Sequence, residues 1–169
     1  MKTLLPNPAN YGSKRDTKEI KYIVIHYTAN DRDTAENNLQ YFHNNVVKAS
    51  AHYFVDENEV CYSVPVDHIA YHCGGSLQGS GGHTFYKKCT NSNSIGVELC
   101  SRRDSKWNYY FKAETMRNAA ALVLELMQKY NIPIERVIRH YDVTGKICPA
   151  PFISEKAWGD FKMLIKGVE

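Results

Sequence analysis

"KYIVIHYTA", Lys21 to Ala29, decides the fold. It is a run of β-branched and aromatic residues long enough for a central strand. Beyond it, Asp33 can cap a helix that begins at Thr34, where Ala35, Leu39, Phe42 and Val46 recur at helical spacing. "SAHYFVD" (Ser50–Asp56) and "EVCYSVP" (Glu59–Pro65) read as two short strands around a Glu57-Asn58 hairpin turn. "HIAYHCGG" (His68–Gly75) is a short extended piece, and the Gly-, Ser-, Thr- and Asn-rich stretch 74–93 is the longest loop. Loops of that length in compact domains are often functional. "SIGVELC" (Ser94–Cys100) is a further strand. The clearest helix runs from Lys112 to Asn131, with Met116, Ala120, Val123, Met127 and Tyr130 on one stripe, and Pro133 blocks its continuation. "RVIRH" (Arg136–His140) is a short strand or extended lead-in, and Ser154 caps a last helix with Ala157, Phe161, Leu164 and Val168 inward. The order predicts an α/β fold: a single domain with a central mixed β-sheet flanked by about three helices.

At 169 residues, 43% hydrophobic and 23% charged, the chain fits one domain with its own core. A net charge of +3 is too small for a dedicated nucleic-acid binder, though it suits approach to an acidic polymer. Basic pairs such as Lys87-Lys88 and Arg102-Arg103 read as solvated surface. No stretch approaches the roughly 18–20 apolar residues of a membrane span. The start, "MKTLLPNPANYGSKR", holds too short an apolar patch for a signal peptide. An encoded leader is therefore not expected, which places synthesis in the cytoplasm. Five cysteines, an odd number with no CxxC pair, argue against a zinc finger or a full disulfide framework. Most read as buried small side chains; Cys148, between polar turn residues and a proline, is the exception.

The chemistry gathers in "IRHYDVTGKICPAP", Ile138 to Pro151. His140 follows an apolar run, as His26 does in "IVIHYT", and α/β sites collect at the carboxyl ends of strands. Cys148 follows His140 after a Gly-containing turn that can swing it back. Two imidazoles and a thiolate with a fourth position open make a catalytic zinc pattern rather than a structural one. His43, His52, His68 and His72 are alternative ligands, His43 being the more structural; His83, in the long loop, could serve either way. In the strand "SIGVELC", alternation sets Ser94, Gly96 and Glu98 on one face and Ile95, Val97 and Leu99 on the other. A carboxylate there needs a partner and tends to a raised pKa. Lys146 is the obvious cation, and Asp142 is a candidate to orient a ligand imidazole or simply to cap the turn.

"VIHYTA", "SAHYFVD", "SIGVEL" and "RHYDVTGKICPAP", in this order, resemble the type 2 zinc N-acetylmuramoyl-L-alanine amidases, which are related to phage lysozyme-type amidases and to peptidoglycan recognition proteins. The resemblance runs from about Lys21 to Pro151. It implies an amidase fold and a phage or prophage endolysin. Its substrate would be bacterial peptidoglycan, cut between the lactyl group of N-acetylmuramic acid and L-alanine of the stem peptide. It implies Zn2+ held by His26, His140 and Cys148, with Glu98 as catalytic base and Lys146 on the oxyanion. Another branch places a catalytic tyrosine where this chain reads Ala51-His52-Tyr53; with Glu98 present, Tyr53 is expected to pack. Tyr27, His52, His72, Trp107 and loop 74–93 are the expected wall contacts. Residues 1–169 would form one catalytic domain, a monomer, and the resemblance allows a wall-binding domain after it in a longer parent. Peptidoglycan binding without cleavage, and cytoplasmic wall recycling, are the competing functions.

Overall fold

Tyr22–Tyr27 is a central strand because it can be nothing else: Ile23, Val24 and Ile25 are fully buried, so both of its faces are covered. The structure is a computed structural model and describes residues 1–167. Its strands are β1 (Lys2–Thr3), β2 (Tyr11–Lys14), β3 (Tyr22–Tyr27), β4 (Tyr53–Val55), β5 (Val60–Tyr62), β6 (His68–Ala70), β7 (Ser94–Leu99), β8 (Arg102–Arg103), β9 (Tyr109–Tyr110) and β10 (Val137–Arg139). The α-helices are α1 (Ala35–Asn44), α2 (Ala113–Tyr130), α3 (His140–Thr144) and α4 (Glu155–Ile165).

The main sheet has the order β1-β5-β4-β7-β3-β10. It is mixed, because β4 and β5 form an antiparallel hairpin while β4, β7, β3 and β10 run parallel. The hairpin turn is fixed by Asp56, whose Oδ1 accepts from the backbone N–H of Asn58 and of Glu59. Two side ribbons complete the fold, β2 with β6 and β8 with β9. One sheet face presents Ile23, Ile25, Ile95, Val97 and Leu99 to α2 and α4, where Phe152, Trp158 and Phe161 stack on one another. The other face carries Phe54 under α1 and Val24 and Ile138 under α3. Burying each large aliphatic side chain contributes about 1.5–3 kcal/mol.

Several expectations shift. Four α-helices are present among the described residues where about three were expected, because the turn after β10 winds into α3. The cap of α1 is Thr34, whose Oγ1 accepts from Asn37 N at 3.1 Å. Asp33 instead receives the Asn38 side-chain amide at 2.8 Å. Val46 lies past the end of α1 and is 60% exposed. The buried residues of α2 are Thr115, Ala119, Ala120, Leu122, Val123 and Leu126, so Ala120 and Val123 of the expected stripe are buried and its centre shifts toward Ala119. Small Ala119 lets the helix sit close to the sheet, which leaves Met116, Met127 and Tyr130 flanking the contact. On α4 the inward residues are Trp158, Phe161 and Ile165, with Ala157 and Leu164 at the edge; Val168 lies outside the described residues.

Candidate metal centre and active site

His26 and Glu98 are directly paired in the β3–β7 register, so their side chains leave the sheet side by side on one face. Phe54 is the neighbour of Glu98 on the other side. β10 pairs in parallel with β3, which brings His140, the first residue of α3, to the same end of the sheet. The chain then turns at Gly145 and comes back, and Tyr141 N donates to Cys148 O at 2.8 Å. His26, His140 and Cys148 each offer a ligand atom, all three within 4.8 Å of one another and all buried. His26 Nδ1 lies 3.6 Å from Cys148 Sγ.

These residues fit a zinc ion. Tetrahedral coordination with Zn–N near 2.1 Å and Zn–S near 2.3 Å requires nitrogen and sulfur about 3.6 Å apart. His140 is buried, yet neither its Nδ1 nor its Nε2 has a hydrogen-bond partner. Buried polar atoms are rarely left so, and a cation would use the lone pair. Burial, the neighbouring imidazoles and Lys146 hold His26 well below the ordinary histidine range. Burial and then Lys146 lower His140 to about 4. Both rings are thus neutral, the ligand form. Burial and the Glu98 carboxylate push the Cys148 thiol up to about 12, so its deprotonation needs the charge of a cation.

The triad opens into a pocket of about 670 Å³ whose wall includes Tyr27, His72, Glu98, Lys146 and, on α1, Asn37 and Tyr41. Glu98 Oε2 is shielded and unpartnered, and burial raises the carboxyl to about 8 against the pull of Lys146. Such a group can exchange protons near neutral pH. Lys146 stands exposed on the turn and lines the same pocket.

Other candidates lie elsewhere. His52 is fully buried beside the strand, accepting from Gly96 N through Nδ1 at 3.0 Å with its Nε2 2.9 Å from the Arg15 guanidinium. It cannot touch substrate, which corrects that expectation. Tyr53 packs in the core on the α2 face. Trp107 is 73% exposed on the β8–β9 turn, outside the pocket wall, with Arg103 stacked over its ring. Tyr109 links that turn to the rim, edge-on to Tyr27 and donating to Ala29 O at 2.7 Å. Loop 74–93 does not line the pocket either; it braces α3 from behind, with Gln78, His83 and Phe85 N–H groups donating to the carbonyls of Thr144, Tyr141 and Asp142. Asp142 caps α3, accepting from Arg139 N at 2.8 Å and pairing with the Arg139 guanidinium. Arg139 also holds Glu155 and Phe152 O, tying α3 to the start of α4. Its only signal in the sequence is a charge closing the apolar run Val137-Ile138.

A mixed α/β sheet whose strand ends carry two histidines and a cysteine beside the unpartnered Glu98 has the make-up of a hydrolase domain with a candidate metal site. Residues 16–151 match the N-acetylmuramoyl-L-alanine amidase family, and the chain belongs to it. It is 38% identical over 143 residues to the N-acetylmuramoyl-L-alanine amidase CwlL of Bacillus licheniformis, covering 82% of this chain and 38% of CwlL. The structure of PlyL superposes with a TM-score of 0.75 at 33% identity, covering 98% of this chain and 96% of that one. AmiD from E. coli, solved in complex with the substrate anhydro-N-acetylmuramic acid-L-Ala-D-gamma-Glu-L-Lys, matches with a TM-score of 0.63 at 26% identity, covering 89% of this chain and 58% of that one. This chain spans well under half the length of curated relatives such as CwlL. No helix among the described residues is long and apolar enough to cross a membrane.

Proposed function

We propose that this domain is a zinc-dependent, endolysin-type hydrolase of bacterial peptidoglycan. It cuts the amide bond between the lactyl group of N-acetylmuramic acid and L-alanine of the stem peptide. The observation that carries this reading is the buried His26–His140–Cys148 donor set opening beside an unpartnered Glu98 in a chain of the amidase family. The solved complex of AmiD supports the substrate class.

His26, His140 and Cys148 would hold the zinc, which when bound would supply Lewis acidity for the amide carbonyl and for activation of water near neutral pH. Glu98, next to His26 in register, takes the proton from that water and returns it to the departing α-amine of L-alanine, so no proton is lost. Lys146, on the wall of the same pocket, is the cation for the developing oxyanion, and removing such a stabiliser costs about 10²–10³ in rate. Tyr27 and His72 shape the wall of the pocket, and Trp107 on the outer turn offers a flat face to a polymer beyond it. The domain acts on the wall as a monomer.

Purified walls are the direct test. Digestion should release new L-alanine amino ends, stop with chelator and resume with added zinc. Glu98→Gln should keep zinc and lose at least about 10²-fold in rate. Walls bound but left uncut by the zinc-loaded parent would make the domain a binding module instead.

A further inference from the structure

His72 forms no part of the donor set, yet both of its ring nitrogens are engaged beside the pocket. It lies against β7 over Gly96, where a Cβ would come within 2.6 Å of the His72 ring. Only glycine leaves that space. The His72 backbone N donates to Asn91 Oδ1 at 3.1 Å, and its Nε2 is 3.1 Å from Ser94 Oγ. Its Nδ1 is 3.0 Å from Nε2 of His26.

The direction of every proton in this chain follows from one end. A carbonyl only accepts, and a serine hydroxyl has a single hydrogen. Ser94 Oγ lies 2.6 Å from Thr90 O, so its hydrogen is committed there. Ser94 can then meet His72 only as an acceptor, and the nearby Cys73 thiol, directed at Asn91 Oδ1, does not reverse this. His72 therefore carries its hydrogen on Nε2 and its lone pair on Nδ1. That lone pair receives the hydrogen of His26 Nε2. A neutral His26 is left with a bare Nδ1, the nitrogen 3.6 Å from Cys148 Sγ.

We infer that the relay Thr90–Ser94–His72 locks His26 in its Nε2–H tautomer and so selects Nδ1 as the metal-binding atom. His72 is a positioning residue: it acts through His26. The inference rests on the zinc reading above for its consequence, though the tautomer itself is a property of the metal-free chain. Ligand histidines commonly donate their second N–H to a carboxylate or carbonyl, and losing that partner costs about 10–100-fold in metal affinity. Here a neutral imidazole takes that place, oriented in turn by a serine.

The experiment has two arms at pH 8, where histidines are neutral. Long-range ¹H–¹⁵N correlation spectra of the chelator-treated parent report which His26 nitrogen is protonated. Competition with a chromophoric chelator reports zinc affinity for the parent, His72→Leu, His72→Asn and Ser94→Ala. The parent should show Nε2–H at His26. His72→Leu should bind zinc about 10–100-fold more weakly and show both His26 tautomers. His72→Asn, whose side-chain oxygen can stand where Nδ1 stood, should recover most of the loss, and Ser94→Ala should lose less than His72→Leu. A parent His26 protonated on Nδ1 overturns the inference without any variant. So does a folded His72→Asn no better than His72→Leu, since His72 would then only fill space. A parent that binds no zinc but shows the Nε2–H tautomer refutes the zinc reading and leaves the relay standing.

Discussion

Glu98 is the residue on which most depends, and its register explains why. Flanked by His26 and Phe54 on neighbouring strands, its carboxyl can reach only the pocket, with no fixed donor to pair with. Its folded pKa of about 8 lies above the ordinary carboxylate value because burial opposes the charge. A raised folded value contributes stability that is complete below the unfolded pKa and is lost as pH rises through the folded one. The metal-free protein should therefore weaken between about pH 4.5 and 8 through this group. Glu98→Gln should match the parent Tm near pH 4.5 and exceed it at pH 9, by about 2–4 °C for each kcal/mol recovered. Calorimetry after chelator treatment decides it; a gap that stays constant across that range would mean a solvated carboxylate. Lys146→Met belongs at this scale too. Turnover should fall about 10²–10³-fold while zinc affinity holds, because the lysine stabilises the reaction and not the ion. Comparable losses in both would make Lys146 a structural residue.

At the scale of elements, the site stands on a helix that could not stand alone. A helix of α3's length is far too short to persist in isolation. Its carbonyls are satisfied by the N–H groups of loop 74–93, and its Asp142 cap is gripped by buried Arg139. Gly145 is where these meet. It adopts φ 78°, and a Cβ there would lie 2.0 Å from Gln78 O. Gly145→Ala should cost stability by more than the roughly 1 kcal/mol of the left-handed conformation alone. Zinc affinity should fall with it, because His140 and Cys148 flank the turn. Differential scanning fluorimetry with a zinc titration checks both, and a normal Tm would show that the loop yields freely.

For the whole molecule, metal binding and folding are one equilibrium. The three ligands come from β3, α3 and the segment after α3, so the unfolded chain has no site. Zinc at 1,000 times its Kd should stabilise the fold by about 4 kcal/mol, a Tm rise of roughly 8–16 °C at this size. His26 and His140 have folded pKa values below the ordinary one, so their contribution is present above about pH 6.5 and is lost as pH falls. Acid also protonates the ligands directly. The zinc-induced rise should thus shrink between pH 7.5 and pH 5.5; a rise independent of pH would place the ion elsewhere.

The linear sequence determined the periodicities and the chemistry. The β-branched run at Lys21–Ala29 could only be a covered strand, the alternation of Ser94–Cys100 set Glu98 apart from its apolar neighbours, and a histidine, lysine and cysteine around one glycine turn marked a site. These are local properties, set by side-chain type and spacing. Tertiary structure decided what depends on close approach between distant segments. It kept Ala120 and Val123 of the α2 stripe inward but shifted its centre toward Ala119, because packing selects the face that lets backbones come nearest. It buried His52 against Gly96 of β7 and moved loop 74–93 from the expected substrate groove to the back of α3. It also set His72 over Gly96, within hydrogen-bonding distance of His26. No pattern in the chain announces that contact, since it depends on the one strand position where a missing Cβ makes room for an imidazole.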